Sequence, residues 1–179
     1  MDNHELDGIL SSLLGDYFGG VYASDQLSTV PKNIRLPAYF VVNTHPVHLP
    51  GEHWLALAVE QNGLGTFFDS YGLSPEFKYY PENILNFLTE RCSRIQYQDC
   101  QLQSFASDRC GQHCVFFLCH KACGLSLKQI LSKYHKNVDK NDAMVYHFVK
   151  KFSNCIKRHD VYFTQVNCTL EMFKECHGL

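Results

Sequence analysis

The chain has 179 residues, of which 45% are apolar and 19% charged, with thirteen Phe, ten Tyr and a formal net charge of −2. That length fits one domain able to bury its own core, and the composition excludes a disordered or low-complexity protein. No run approaches the roughly 18 apolar residues of a membrane span, and the opening "MDNHELDGILSSLLGDYF" lacks the parts of a secretion signal, so a reducing compartment and free thiols are expected.

"ELDGILSSLLGDYF" carries Leu6, Ile9, Leu10, Leu13 and Leu14 at the spacing of an amphipathic helix, which should end near Gly15. A loop holding Asp25, Pro31 and Pro37 follows, and then "AYFVVNT" reads as a buried strand. "HWLALAVE" and "TFFDSYG" form a hairpin across "QNGLG", with Asn62-Gly63 at the turn. "PENILNFLTERC" starts a helix at Pro81, and "RIQYQDCQLQ" reads as a further strand. From Cys110 the dense "CGQHCVFFLCHKAC" predicts a buried helix stopped by Gly124. "LSLKQILSKYH", "NDAMVYHFVKKFSNCIKR" and "LEMFKECHGL" read as helices, with "DVYFTQV" ambiguous. The order predicts an α+β fold over residues 1–179, a small mixed sheet packed against helices.

Nine cysteines, an odd number, argue against a complete disulfide framework, and most should be small buried hydrophobes. Cys110, Cys114, Cys119 and Cys123 suggest a zinc quartet, but on one helix Cys110 and Cys119 lie roughly 180° apart and cannot meet on one ion. The alternative is a single reactive thiol. A helix N-terminus favours a thiolate, and Cys110 alone occupies that position, after the polar "SFASDR" and before Gly111. A cysteine nucleophile needs a histidine base and an acceptor that orients it. His53 opens the strand "HWLALAVE", and Asp69 near the end of "TFFDS" is its cross-strand neighbour. Gln103, seven residues before Cys110, supplies an amide donor for an oxyanion.

"GEHWLALAV", "FFDSYG" and "QLQSFASDRCGQHC" together resemble the adenovirus endopeptidase (adenain) family and its relatives in other DNA viruses and in Polinton (Maverick) elements. The likeness covers roughly residues 5–124, beginning with "ELDGILSSLLGDYFGGVYASDQL". It implies a cysteine endopeptidase with a papain-type active centre on the adenain/SUMO-protease-like fold. His53 would be the base, Asp69 its orienting acid, Cys110 the nucleophile and Gln103 the oxyanion donor. Asp69 departs from the Glu of adenain and matches the Asp of SUMO-specific proteases. The resemblance further implies substrate contacts by Asp25, Gly51, Glu52 and Trp54, and capsid or core precursors cut at Gly-Gly or Gly-x sites in virion maturation. Cys92 would be the cysteine that takes an activating peptide by disulfide. No cofactor is needed for the chemistry. A monomer in host nucleus, cytoplasm or virion is expected, with no membrane partner.

Between Lys128 and Arg158 eight Lys or Arg face Asp139 and Asp142, a local excess of +6. Such a basic 128–158 segment could meet a polyanion, and the resemblance implies stimulation by viral DNA. Two rival readings are an isopeptidase for ubiquitin-like proteins and a zinc-binding interaction module.

Overall fold

A computed structural model describes residues 1–159 of the chain. The expected helix "LEMFKECHGL" and the ambiguous "DVYFTQV" lie outside the described residues. Helix α1 (Asn3–Leu14) starts at a capping box in which Asp2 Oδ1 accepts from Glu5 N at 2.9 Å and Glu5 accepts from Asp2 N at 3.1 Å. Such a cap is worth about 1 kcal/mol. The helix stops at Gly15, whose φ of 53° places it in the left-handed region. Its apolar stripe, Leu6, Leu10, Leu13 and Leu14, is buried, as the spacing predicts.

Five strands form one mixed sheet in chain order: β1 (Phe18–Ala23), β2 (Ala38–Asn43), β3 (Trp54–Val59), β4 (Leu64–Phe68) and β5 (Arg94–Tyr97). The pairs β2–β3 and β3–β4 are antiparallel, while β1–β2 and β4–β5 are parallel. β2 and β3 are buried along their whole length, which is why they read as continuous apolar runs instead of alternating ones. Leu55, Leu57, Val59 and Phe67 enter the core on the face of α2 (Glu82–Thr89), while Trp54, Ala56, Ala58 and Phe68 enter the opposite core. That second core holds α1, the buried helix α3 (Cys110–Ala122), the short α4 (Leu127–Leu131) and α5 (Val138–His159). Gly63, at φ 75°, makes the expected β3–β4 turn, with Glu60 N donating to Leu64 O at 2.9 Å.

β1 falls where the sequence predicts a loop. Two adjacent glycines and a register shift between Phe18 and Gly20 erase its alternation. Gly19 is there because nothing larger fits: a Cβ would sit 2.0 Å from Cε1 of the fully buried Phe40 ring. Gly19→Ala is therefore expected to destabilise the protein by about 1–3 kcal/mol or more, read as a lowered urea midpoint at unchanged m.

Candidate active site

The hairpin register pairs Ala56 with Phe68, so His53 and Asp69 lie just beyond the paired residues, diagonal to one another at the open end of β3 and β4. His53 Nε2 is 2.7 Å from Asp69 Oδ1, and both residues are buried. His53 thus stands at the end of the central strand, not at a lateral edge of the sheet.

Asp69 receives four donors. Oδ1 accepts from His53 Nε2 and from Tyr71 N at 3.0 Å, and Oδ2 accepts from Leu73 N at 3.0 Å and Tyr80 Oη at 2.8 Å. Its carbonyl accepts from the Gln98 amide. A buried carboxylate with this many donors is fixed in orientation. Tyr71 stacks on the His53 ring, centroids 4.6 Å apart, and Phe105 packs on Tyr71 at 5.2 Å. Phe105 is 73% exposed, so this aromatic wall runs from the imidazole out to solvent.

With Nε2 committed to Asp69, His53 Nδ1 is buried without a partner at conventional hydrogen-bond distance. Cys110, the first residue of α3, acts on the ring through hydrogen bonding and charge. Desolvation pushes the His53 pKa down, but the Asp69 and Cys110 hydrogen bonds and their charges outweigh it and raise the value to about 9. For Cys110, desolvation raises the thiol pKa. The His53 hydrogen bond and charge, with backbone hydrogen bonds from Trp54 and Gly111, overcome it, so the thiol lies below its ordinary 9.0. Both shifts point to a thiolate–imidazolium pair.

This ion pair has a sign that can be tested. Alkylation of Cys110 by iodoacetamide is expected to rise with pH at a midpoint below 9.0, because His53 stabilises the thiolate. In His53→Ala only the desolvation and the backbone hydrogen bonds remain, and the midpoint should move upward. The raised His53 pKa also contributes stability that is complete below 6.5 and lost as pH rises through about 9.

Gln103 is fully buried in the segment leading to Cys110, not an exposed strand end. Its Oε1 accepts from Ser70 Oγ at 2.6 Å, its Nε2 donates to Ser107 O at 2.7 Å, and its backbone N–H donates to Ser70 O at 2.9 Å. One Nε2 hydrogen is left over from these contacts.

The other residues singled out in the sequence are dispersed. Asp25 Oδ1 accepts from Val47 N at 3.0 Å and so anchors the 44–53 loop that delivers His53. Gly51 and Glu52 are exposed in that loop, where Glu52 pairs with His45 at 2.9 Å. Gly51 crosses closely over Asn43, whose Nδ2 would lie 2.7 Å from an added Cβ. Trp54 is buried in the core, its indole N–H donating to Met1 O at 3.2 Å and its ring against Gly111. Cys92 packs under Gly65 and is half-buried, and burial pushes its thiol pKa up. Cys114 and Cys119 are buried, and Cys114 Sγ donates to Trp54 O at 3.4 Å. Among the described residues no group of three or more His, Cys, Asp or Glu is arranged to hold a metal ion. Nor, among them, is any helix long and apolar enough to cross a membrane.

Sequence reasoning missed Ser70, Tyr71 and Tyr80. Tyr71 had a signal, since it lies directly opposite His53 if the hairpin register is continued past the strand ends. Tyr80 had none, because it reaches Asp69 from an irregular segment eleven residues away.

No protein-family model matches the chain. A curated relative, the protease of bovine adenovirus 7, is 25% identical over 146 residues, covering 68% of this chain and 72% of the relative. The solved central domain of the uncharacterized Lpg1148 protein of Legionella pneumophila aligns with a TM-score of 0.50 at 12% identity, over 86% of this chain and 98% of that one. The ASFV pS273R protease structure aligns with a TM-score of 0.46 at 16% identity, over 79% of this chain and 64% of that protease. The similarity to the adenovirus protease, in a chain that brings His53, Asp69 and Cys110 to one end of its sheet, supports an adenain-like cysteine protease.

Proposed function

We propose that the protein is a cysteine endopeptidase whose Cys110, His53 and Asp69 act as a triad, with Gln103 and the Cys110 N–H as oxyanion donors. The observation that carries this is the buried Asp69–His53 contact of 2.7 Å, with Cys110 at the helix start next to the free ring nitrogen. The Cys110 thiolate attacks the scissile carbonyl carbon, and the carbonyl π electrons move onto oxygen, where the donors hold them. The His53 imidazolium gives its proton to the leaving amine as the C–N bond breaks, leaving a thioester. Neutral His53 then takes a proton from water, whose oxygen attacks the thioester carbon, and as the C–S bond breaks the acid product leaves and the Cys110 thiolate is regenerated beside the His53 imidazolium. Asp69 holds the ring in orientation throughout.

The substrates are viral or virus-like precursor proteins cut at Gly-Gly or Gly-x sites, in virion maturation. The likeness to the adenovirus protease supports this. The exposed Lys128, Lys136, Lys140, Lys150 and Lys151 support viral DNA as an activator, whereas Lys157 and Arg158 fall where no side chain is described. Activation by a peptide through Cys92 requires that its packing under Gly65 open first.

A panel of short fluorogenic Gly-Gly peptides set against fluorogenic ubiquitin-like proteins tests the reading. Hydrolysis of the peptides, lost in Cys110→Ala, is expected. Cleavage confined to the ubiquitin-like proteins would replace the endopeptidase by an isopeptidase.

A further inference from the structure

Gln103 is gripped on both sides of the chain by one helix. The carbonyl of Leu102 accepts from Asn141 Nδ2 at 3.0 Å, and the N–H of Ser104 donates to Asp142 Oδ2 at 3.1 Å. Asn141 and Asp142 are consecutive residues of α5, so the peptide groups flanking Gln103 are tied to two neighbouring side chains.

Neither side chain is free to drift. Asn141 is fully buried, its Oδ1 accepts from His135 N at 2.7 Å, and its Nδ2 also donates to His135 O at 3.1 Å. The other oxygen of Asp142 lies 2.9 Å from Nε2 of the buried His113, three residues beyond Cys110 on α3. Tyr134 stacks on that imidazole with its ring centroid 5.7 Å away. One carboxylate therefore joins the segment before Cys110 to the helix that Cys110 begins. Adhesion of α5 does not need these polar contacts, because Val145, Phe148, Val149 and Phe152 already bury its apolar side. Buried polar groups of this kind fix geometry more than they add stability.

We propose that Asn141 and Asp142 are positioning residues for the oxyanion site: they lock the backbone on either side of Gln103 so that its uncommitted amide hydrogen is held where the oxyanion forms. The chain at Gln103 then has no rotation left, since Ser70 also holds its N–H and its Oε1. α5 becomes part of the catalytic frame as well as a basic surface. Preorganised donors act only when aimed at the developing charge, and small displacements remove most of their effect. The inference rests on the oxyanion role of Gln103 given above.

The test is a double-mutant cycle in the full chain, assayed on a Gly-Gly fluorogenic peptide, with iodoacetamide alkylation of Cys110 as the second readout. Asp142→Ala is expected to lower kcat by about 10- to 100-fold with KM little changed, while the pH dependence of alkylation stays that of the wild type. Asp142→Asn, whose carbonyl can still accept from Ser104, should recover most of the loss. In a Gln103→Ala background Asp142→Ala should cost nothing more. If Asp142→Ala does not fold, Asn141→Ser, too short to reach the Leu102 carbonyl, enters the same cycle. Losses that multiply with Gln103→Ala, or a kcat unchanged in a folded Asp142→Ala, overturn the inference. A Gln103→Ala enzyme with unimpaired kcat overturns instead the oxyanion assignment on which it stands.

Discussion

Cys110→Ala is expected to abolish hydrolysis of a Gly-Gly peptide, and His53→Ala to lower kcat by about 10⁴-fold or more, with the fold intact in both. The fold should survive because neither change removes a large apolar side chain from the cores. Cys110 loses only a sulfur at a helix start, and His53 sits past the end of β3. Catalysis should not survive, since no other described thiol combines a helix N-terminus, a lowered pKa and a paired imidazole. Cys114 and Cys119 are buried within the same helix, and burial drives both thiols upward. Circular dichroism and thermal unfolding establish the fold, and turnover establishes the loss. Turnover persisting in folded Cys110→Ala would show that the nucleophile is elsewhere.

Asp69→Asn carries the second largest effect, and here the structure makes an otherwise mild substitution severe. All four groups around the carboxylate are donors to it: the His53 ring, the Tyr71 and Leu73 N–H groups and the Tyr80 hydroxyl. An asparagine offers one carbonyl oxygen, and whichever way it turns, its NH₂ faces a backbone N–H. The cost in stability is expected to be about 1–3 kcal/mol, as for a buried donor left unsatisfied. Loss in kcat is expected at about 10²–10⁴-fold, because the ring loses both its orientation and the charge that keeps it protonated. The His53 pKa should fall from about 9, since the Asp69 hydrogen bond is the largest of the effects that raise it. The alkaline limb of the pH–rate profile would move to lower pH accordingly. An Asp69→Asn enzyme with that limb unmoved would mean that Asp69 supports the hairpin and not the imidazole.

The elements that were legible in the sequence are those whose apolar residues repeat without interruption. The stripe of α1, the solid runs of β2 and β3, the Asn62-Gly63 turn and the dense helix from Cys110 all have their physical cause within a few residues. β1 was not legible, because Gly19 is set by the Phe40 ring, a partner some twenty residues on. The same division runs through the site. Cys110 could be picked out by its place before an apolar helix, and His53 and Asp69 by opposing strands of one hairpin. The orientation of Gln103 could not, because it depends on Ser70, Ser107 and, through the backbone, on α5.

By itself, then, the sequence determined which side chains are the candidates for chemistry and on which local elements they ride, since helix starts and hairpin registers are short-range properties of the chain. Tertiary structure alone decided their electrostatics and aim. It buries His53 and Asp69, sets Tyr71 against the imidazole, brings the Cys110 thiol under the influence of the ring, and ties the segment around Gln103 to Asn141 and Asp142. The physical reason is that pKa values and hydrogen-bond directions depend on what surrounds a group in space, and the neighbours that matter here lie sixteen to fifty-seven positions away along the chain.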